Sequence, residues 1–198
     1  MVERLTEETR GHHREADADL DALFGTDVTS TQYLVFLMRV YGFEAPLDSA
    51  IAMTPKLEIE VEVRARSRAG FLAQDLMAIG VRPADVTALP LCLAIPQFRG
   101  VAEAMGWLYV VERNTLAHNM IRRHLATRLP REMEVASAYL SSYHGVVGKR
   151  WRELGQALDR VAVVPAVADR IVAAASDAFR CRRNWVLHDR TGYARSVG

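Results

Sequence analysis

Apolar residues recur at helical spacing through nearly the whole chain. Val2, Leu5, Ala16, Leu20, Leu23 and Phe24 form one stripe, with Glu3, Glu7, Glu8 and Arg14 mostly on other sides, so a first helix is predicted from Val2 to Phe24 and ended by Gly25. Thr29, Ser30 and Thr31 supply N-cap candidates for a second helix starting near Gln32, which is expected to bend at Pro46. Between Leu57 and Val63 apolar and acidic residues alternate, which taken alone describes a half-buried strand. No other segment offers that strand a partner, and an unpaired strand leaves its backbone groups unsatisfied, so the strand is discounted.

Helical spacing returns from Arg68 to Ile79, stops at Gly80, and gives way to a linker bearing Val81, Pro83, Pro90 and Pro96. The longest pattern runs from Phe98 to about Arg128. Shorter ones cover Arg131 to His144, Val147 to Leu158 and Pro165 to Leu187, the last with proline in its first turn. The expectation is an all-α bundle of about seven helices in one domain over residues 1–190, with a flexible tail over 191–198.

Composition narrows the function classes. A chain of 198 residues with 50% hydrophobic and 25% charged positions can bury one core without staples. Lys and Arg number 25 against 24 for Asp and Glu, a balance that gives no electrostatic footprint for nucleic acid or an anionic membrane. The start, MVERLTEETR, has no signal-peptide pattern and no apolar run is long enough to span a bilayer, so a cytoplasmic location is expected. Cys92 and Cys181, far apart in sequence, give no disulfide or zinc framework and read as free core thiols. A dinuclear carboxylate centre is disfavoured because the Glu-x-x-His pairs it needs are absent; Glu8 with His12, and His188 with Asp189, do not supply two matching helices.

On the first helix His12 and His13 both fall on the apolar side, His13 nearer the stripe's centre between Thr9 and Ala16. A core-facing imidazole needs a partner for its nitrogens, usually a carbonyl or a carboxylate. The string Thr9-Arg10-Gly11-His12-His13-Arg14-Glu15-Ala16-Asp17 resembles the T-R-x-x-H-x-x-x-[DE] segment of the heme oxygenase family. The resemblance continues in order through Tyr41-Gly42-Phe43-Glu44-Ala45-Pro46-Leu47, Arg68 to Gly80, Gly106-Trp107-Leu108-Tyr109-Val110, Tyr143-His144-Gly145 with Gly148 and Trp151, and Pro165-Ala166-Val167 through Arg170, Ala175, Ala178 and Phe179.

The resemblance implies a heme oxygenase-like fold and an enzyme that takes heme as both substrate and cofactor, cleaving it to biliverdin, iron and CO with O2 and an external electron donor, a ferredoxin or a flavoprotein reductase. It implies His13 as the proximal iron ligand. Arg10 and Arg152 fall near positions where the family places basic residues toward the propionates, and Lys149 is a weaker candidate.

The distal helix departs from the family pattern. Where the family has E-G-S-T-L-G-G, this chain has Glu112-Arg113-Asn114-Thr115-Leu116-Ala117-His118, so all three glycines are replaced. Larger residues there are expected to straighten the helix or move it outward. Residues 113 and 117, and likewise 114 and 118, form two adjacent rows that face heme if the glycine positions do. Three readings stay open: an oxygenase in which Asn114 orders water and His118 leaves the iron open, a heme- or bilin-binding protein in which His118 or Arg113 blocks the oxygen site, and a degenerate fold serving another ligand.

Overall fold

The computed structural model describes residues 1–18 and 20–188, and among these there are eleven α-helices, two 3-10 turns and no strand. The expected tail over 191–198 lies outside the described residues. No helix among them is long and apolar enough to cross a membrane. The helices are α1 (Val2–Glu8), α2 (Arg10–Ala18), α3 (Ser30–Ala52), α4 (Leu57–Glu60), α5 (Ala69–Ala78), α6 (Pro83–Thr87), α7 (Val101–Arg128), α8 (Pro130–Val135), α9 (Ala138–Ser141), α10 (Val147–Val161) and α11 (Pro165–His188).

The count exceeds seven because side chains divide patterns that periodicity alone joins. The first stripe breaks at Thr9, whose hydroxyl donates to the Leu5 carbonyl at 2.6 Å and so bends the chain between α1 and α2. The 131–144 pattern splits into α8 and α9 because the Asp75 carboxylate, reaching over from α5, accepts the N–H groups of Ala138 and Tyr139 at 2.8 and 2.9 Å. That contact caps α9 from outside its own segment.

The alternating 57–63 stretch is not a strand. Leu57 and Val61 are buried while Ile59 between them is 72% exposed, which is helical spacing; a strand would place all three on one face. It forms α4, followed by a 3-10 turn over Arg64–Arg66.

Helix α3 starts with a capping box: the Gln32 N–H donates to the Thr29 hydroxyl at 3.2 Å, and the Thr29 N–H to the Gln32 side-chain oxygen at 2.7 Å. The helix runs on through Pro46. Proline has no N–H to offer the carbonyl four residues back, so the Gly42 carbonyl is free, and the Cys92 N–H donates to it at 2.8 Å. That bond docks the α6–α7 linker on α3.

Helices α7 and α11 form the central packed pair. A Cβ on Gly106 would stand 2.4 Å from the Ile171 carbonyl oxygen and 2.7 Å from the Ala174 Cβ, so glycine lets the two backbones approach. Gly80 ends α5 at a φ of 104°, a left-handed position that favours glycine.

The core has two parts. One gathers Leu5, Phe43, Leu47, Ile51, Trp107, Leu154 and Ile171; the other gathers Tyr33, Leu37, Leu72, Leu76, Ile121, Leu125 and Tyr139. Helices α3 and α7 contribute to both, and between the two parts lies a buried charge cluster. Arg68 donates to Glu44 at 3.1 Å and to Glu112 at 2.8 Å, and Arg66 donates to Glu112 at 2.7 Å. Tyr139 donates to Glu44 at 2.7 Å and Tyr143 to Glu112 at 2.8 Å. Burial pulls the Arg68 guanidinium down, and the carboxylates of Glu44 and Glu112 more than reverse this, leaving it well above its ordinary value. The Arg68-to-Gly80 motif thus combines a charge hub at Arg68, a core face at Leu72 and Leu76, and a distant helix cap at Asp75.

Candidate functional site

Thr9, His13 and Asp17 follow one another at intervals of four on consecutive turns of α1 and α2, and Tyr109 and Arg113 stand four apart on α7. The two rows meet. The half-buried His13 places Nε2 at 2.9 Å from the Thr9 hydroxyl and 3.2 Å from the Tyr109 hydroxyl, and Arg113 donates to both oxygens of Asp17 at 3.0 Å. Because the Thr9 hydroxyl directs its own proton to the Leu5 carbonyl, it accepts toward His13, and Nε2 carries the ring hydrogen in this arrangement.

Burial, joined by the Arg113 charge and opposed by the pull of Asp17, lowers the His13 pKa to about 4. His13 is therefore a neutral imidazole at physiological pH, the form that ligates metals. From α11, Phe179 closes the other side, its ring centroid 5.3 Å from His13 and 5.7 Å from His12, and Arg183 pairs with Glu15 at 2.7 Å. His12 lies beside this arrangement, 3.6 Å from Glu15.

The altered stretch of α7 does not act as one surface. The helix is continuous from residue 101 to 128. Arg113 turns toward α2, while Asn114 and His118 face a cavity of about 220 Å³ bounded by α3, α7 and α11. Its walls are mostly apolar, among them Leu23, Val35, Phe36, Val40 and Ile121, with Arg39, Arg182 and Glu44 as charged members. Ala117 packs against the second core. The 114/118 row thus faces a cavity, whereas the 113/117 row divides between an ion pair and packing.

His118 is not turned to solvent. It is 4% exposed, its ring centroid lies 4.6 Å from that of Tyr139, and among the described residues its buried Nδ1 has no hydrogen-bond partner. Burial, with the Arg68 charge, lowers its pKa to about 3.

The two candidate cations lie at the surface. Arg10 is exposed and pairs with Glu7. Arg152 is exposed too, and the neighbouring Trp151 packs on the Tyr109 ring at 5.7 Å. The structure thus groups His13 with Arg113 and groups Asn114 with His118 in the cavity. Thr9, Tyr109 and Phe179, all inside recognised motifs, complete the surroundings of His13 without having been assigned to it. Their spacing of four from His13 or Arg113 was the available signal for the first two.

The family model described as heme oxygenase matches residues 1–188. Among solved structures, the NO- and CO-bound heme oxygenase from Neisseria meningitidis is similar, with a TM-score of 0.75 and 22% sequence identity over 94% of this chain and 89% of that one. This likeness concerns the fold. No curated protein matches the chain.

Proposed function

The chain belongs to the heme oxygenase family, and from that premise we propose that it binds heme beside His13 and cleaves it, with O2 and electrons from a ferredoxin or flavoprotein reductase, to biliverdin, iron and CO. The observation that carries the reading is His13: a half-buried imidazole held neutral and lodged between α2 and α7.

The residues suit the group. A neutral imidazole, the aromatic ring of Phe179 and the apolar lining behind Asn114 match a flat macrocycle carrying one metal, and Arg10 and Arg152 match its two carboxylates. The cavity alone, about 220 Å³, falls below the range of roughly 300–1,000 Å³ usual for sites of this kind. His13 does not line this cavity, so a macrocycle held by His13 and lying against Asn114 would require α2 to shift from α7, giving up the Tyr109–His13 and Arg113–Asp17 contacts.

Heme supplies the iron that takes up O2 and the ring that is oxidised. The chain supplies position and protons. His13 would hold the iron through Nε2 once its ring hydrogen has moved to Nδ1, and Asp17, one turn on, would be freed to orient the ring when Arg113 lets go. Asn114 faces the cavity with an amide that both donates and accepts, the group required to hold water near α7.

One observation favours a second reading. The neutral, unpartnered Nδ1 of His118 in the same cavity is a ready sixth ligand, and its coordination would make the protein a heme or bilin binder with little turnover. Heme titration followed by optical spectroscopy separates the readings. Five-coordinate or water-ligated ferric heme, with biliverdin formed on addition of reductant and O2, supports the oxygenase. A bis-histidine spectrum without product supports the binder, and absence of binding defeats both.

A further inference from the structure

Cys92 lies in the linker between α6 and α7 and Cys181 on α11, yet the fold brings their sulfur atoms to 3.7 Å. Both are free thiols, Cys92 buried and Cys181 half-buried. A disulfide needs sulfurs about 2.05 Å apart, so the gap is of a size that side-chain rotation with slight backbone adjustment closes.

Cys92 is held from two directions. Its N–H is fixed on the Gly42 carbonyl that Pro46 leaves free, at 2.8 Å, and its own carbonyl accepts the Ile95 N–H at 3.4 Å. We infer that Cys92 and Cys181 are a peroxide-responsive thiol pair that closes to an intramolecular disulfide and staples the α6–α7 linker to α11. The inference does not rest on the heme reading.

The two thiols are suited to different parts of the reaction. Hydrogen bonding from Cys181 holds the Cys92 thiol below its ordinary value, while the same contact and burial push Cys181 up. Cys92, the thiol whose anion is favoured by the contact, is the nucleophile. Its sulfur attacks one oxygen of hydrogen peroxide; the O–O bond breaks, giving a sulfenic acid on Cys92 and hydroxide. Cys181 loses its proton to that hydroxide, and its sulfur displaces the second hydroxide from Cys92, which takes up the proton Cys92 released on forming its thiolate and leaves as water. The two thiols lose two electrons and two protons, and one peroxide becomes two waters. Peroxide, a molecule little larger than water, reaches the pair past the half-exposed Cys181.

The closed bond would tie the helix that carries Phe179 and Arg182 to a segment 89 positions away in sequence. Purified full-length protein, treated with a small excess of hydrogen peroxide, tests this by thiol titration under denaturing conditions, intact mass and thermal unfolding. Both thiols are expected to disappear with a mass loss of about 2 Da, no intermolecular cross-link and reversal by a dithiol reductant. A Tm rise on the order of 10 °C should accompany closure. Cys92→Ser and Cys181→Ser should each lose the Tm response. Two thiols still titrating after treatment, a cross-linked dimer, or oxygen adducts in place of the mass loss would overturn the inference.

Discussion

Arg113 on α7 grips Asp17 on α2 through two hydrogen bonds of 3.0 Å, and this pair bridges the two helices between which His13 is lodged. Asp17 is 61% exposed on its side chain, so the bridge contributes at most about 1 kcal/mol to stability. Under the proposed function it would act as a latch, which heme entering beside His13 would have to open. Asp17→Asn and Arg113→Gly should speed heme association by up to about fivefold while moving overall stability by less than about 1 kcal/mol. Stopped-flow heme uptake measures this, and rates equal to wild type would show that the bridge does not gate entry.

His13 and His12 are adjacent, but only His13 reaches α7. His12 stacks on Phe179 beside Glu15. Replacing His13 with Ala is expected to abolish the native axial ligation of bound heme, and His12→Ala to preserve it. The optical and EPR spectra of the two loaded variants provide the comparison, with the reverse pattern moving the ligand by one residue.

Burial of His118 makes the fold sensitive to acid. Its folded pKa, about 3, lies below the ordinary value of 6.5, so the unfolded chain binds the proton first as pH falls. The contribution is intact above about 6.5 and is lost on acidification from there toward 3. Between pH 6.5 and 4.5 the loss is about 2 to 3 kcal/mol. Urea unfolding at these two values should therefore show a smaller pH effect for His118→Leu than for wild type. An equal drop in both proteins would mean that His118 titrates normally in the fold.

Arg68 is 1% exposed and serves both Glu44 and Glu112. Removing it leaves two buried carboxylates without their main counter-charge. Arg68→Met should cost about 3 to 5 kcal/mol in denaturant unfolding. Breaking a surface pair such as Arg82–Asp85 should cost little, and a similarly small loss at Arg68 would show that water enters the cluster.

Periodicity made the all-helical class, the Thr29 start of α3 and the extents of α7, α10 and α11 legible, because each depends on residues within a few positions of one another. A short ordered motif singled out His13, which the fold sets against the Thr9 and Tyr109 hydroxyls. The breaks at Thr9 and between α8 and α9 were not, since one depends on the direction of a hydroxyl and the other on Asp75 reaching across 63 positions. Spacing paired Asn114 with His118, whereas Arg113 and Ala117 parted, because spacing identifies a face without saying what stands opposite it. Arg113 met Asp17, and Asn114 and His118 met a cavity whose other walls come from α3 and α11.

The Arg68 cluster also bears on how the chain folds. Along α3 the change from one core to the other comes between Met38 and Phe43, with Glu44 at the boundary; along α7 it comes after Val111, at Glu112. Either half, collapsing alone, would bury one carboxylate before its guanidinium partner was locked in, and a half-satisfied network is worse than none. Partially folded states with one core formed are accordingly penalised at the seam, so the two cores are coupled and unfold in a single cooperative transition rather than as two independent lobes.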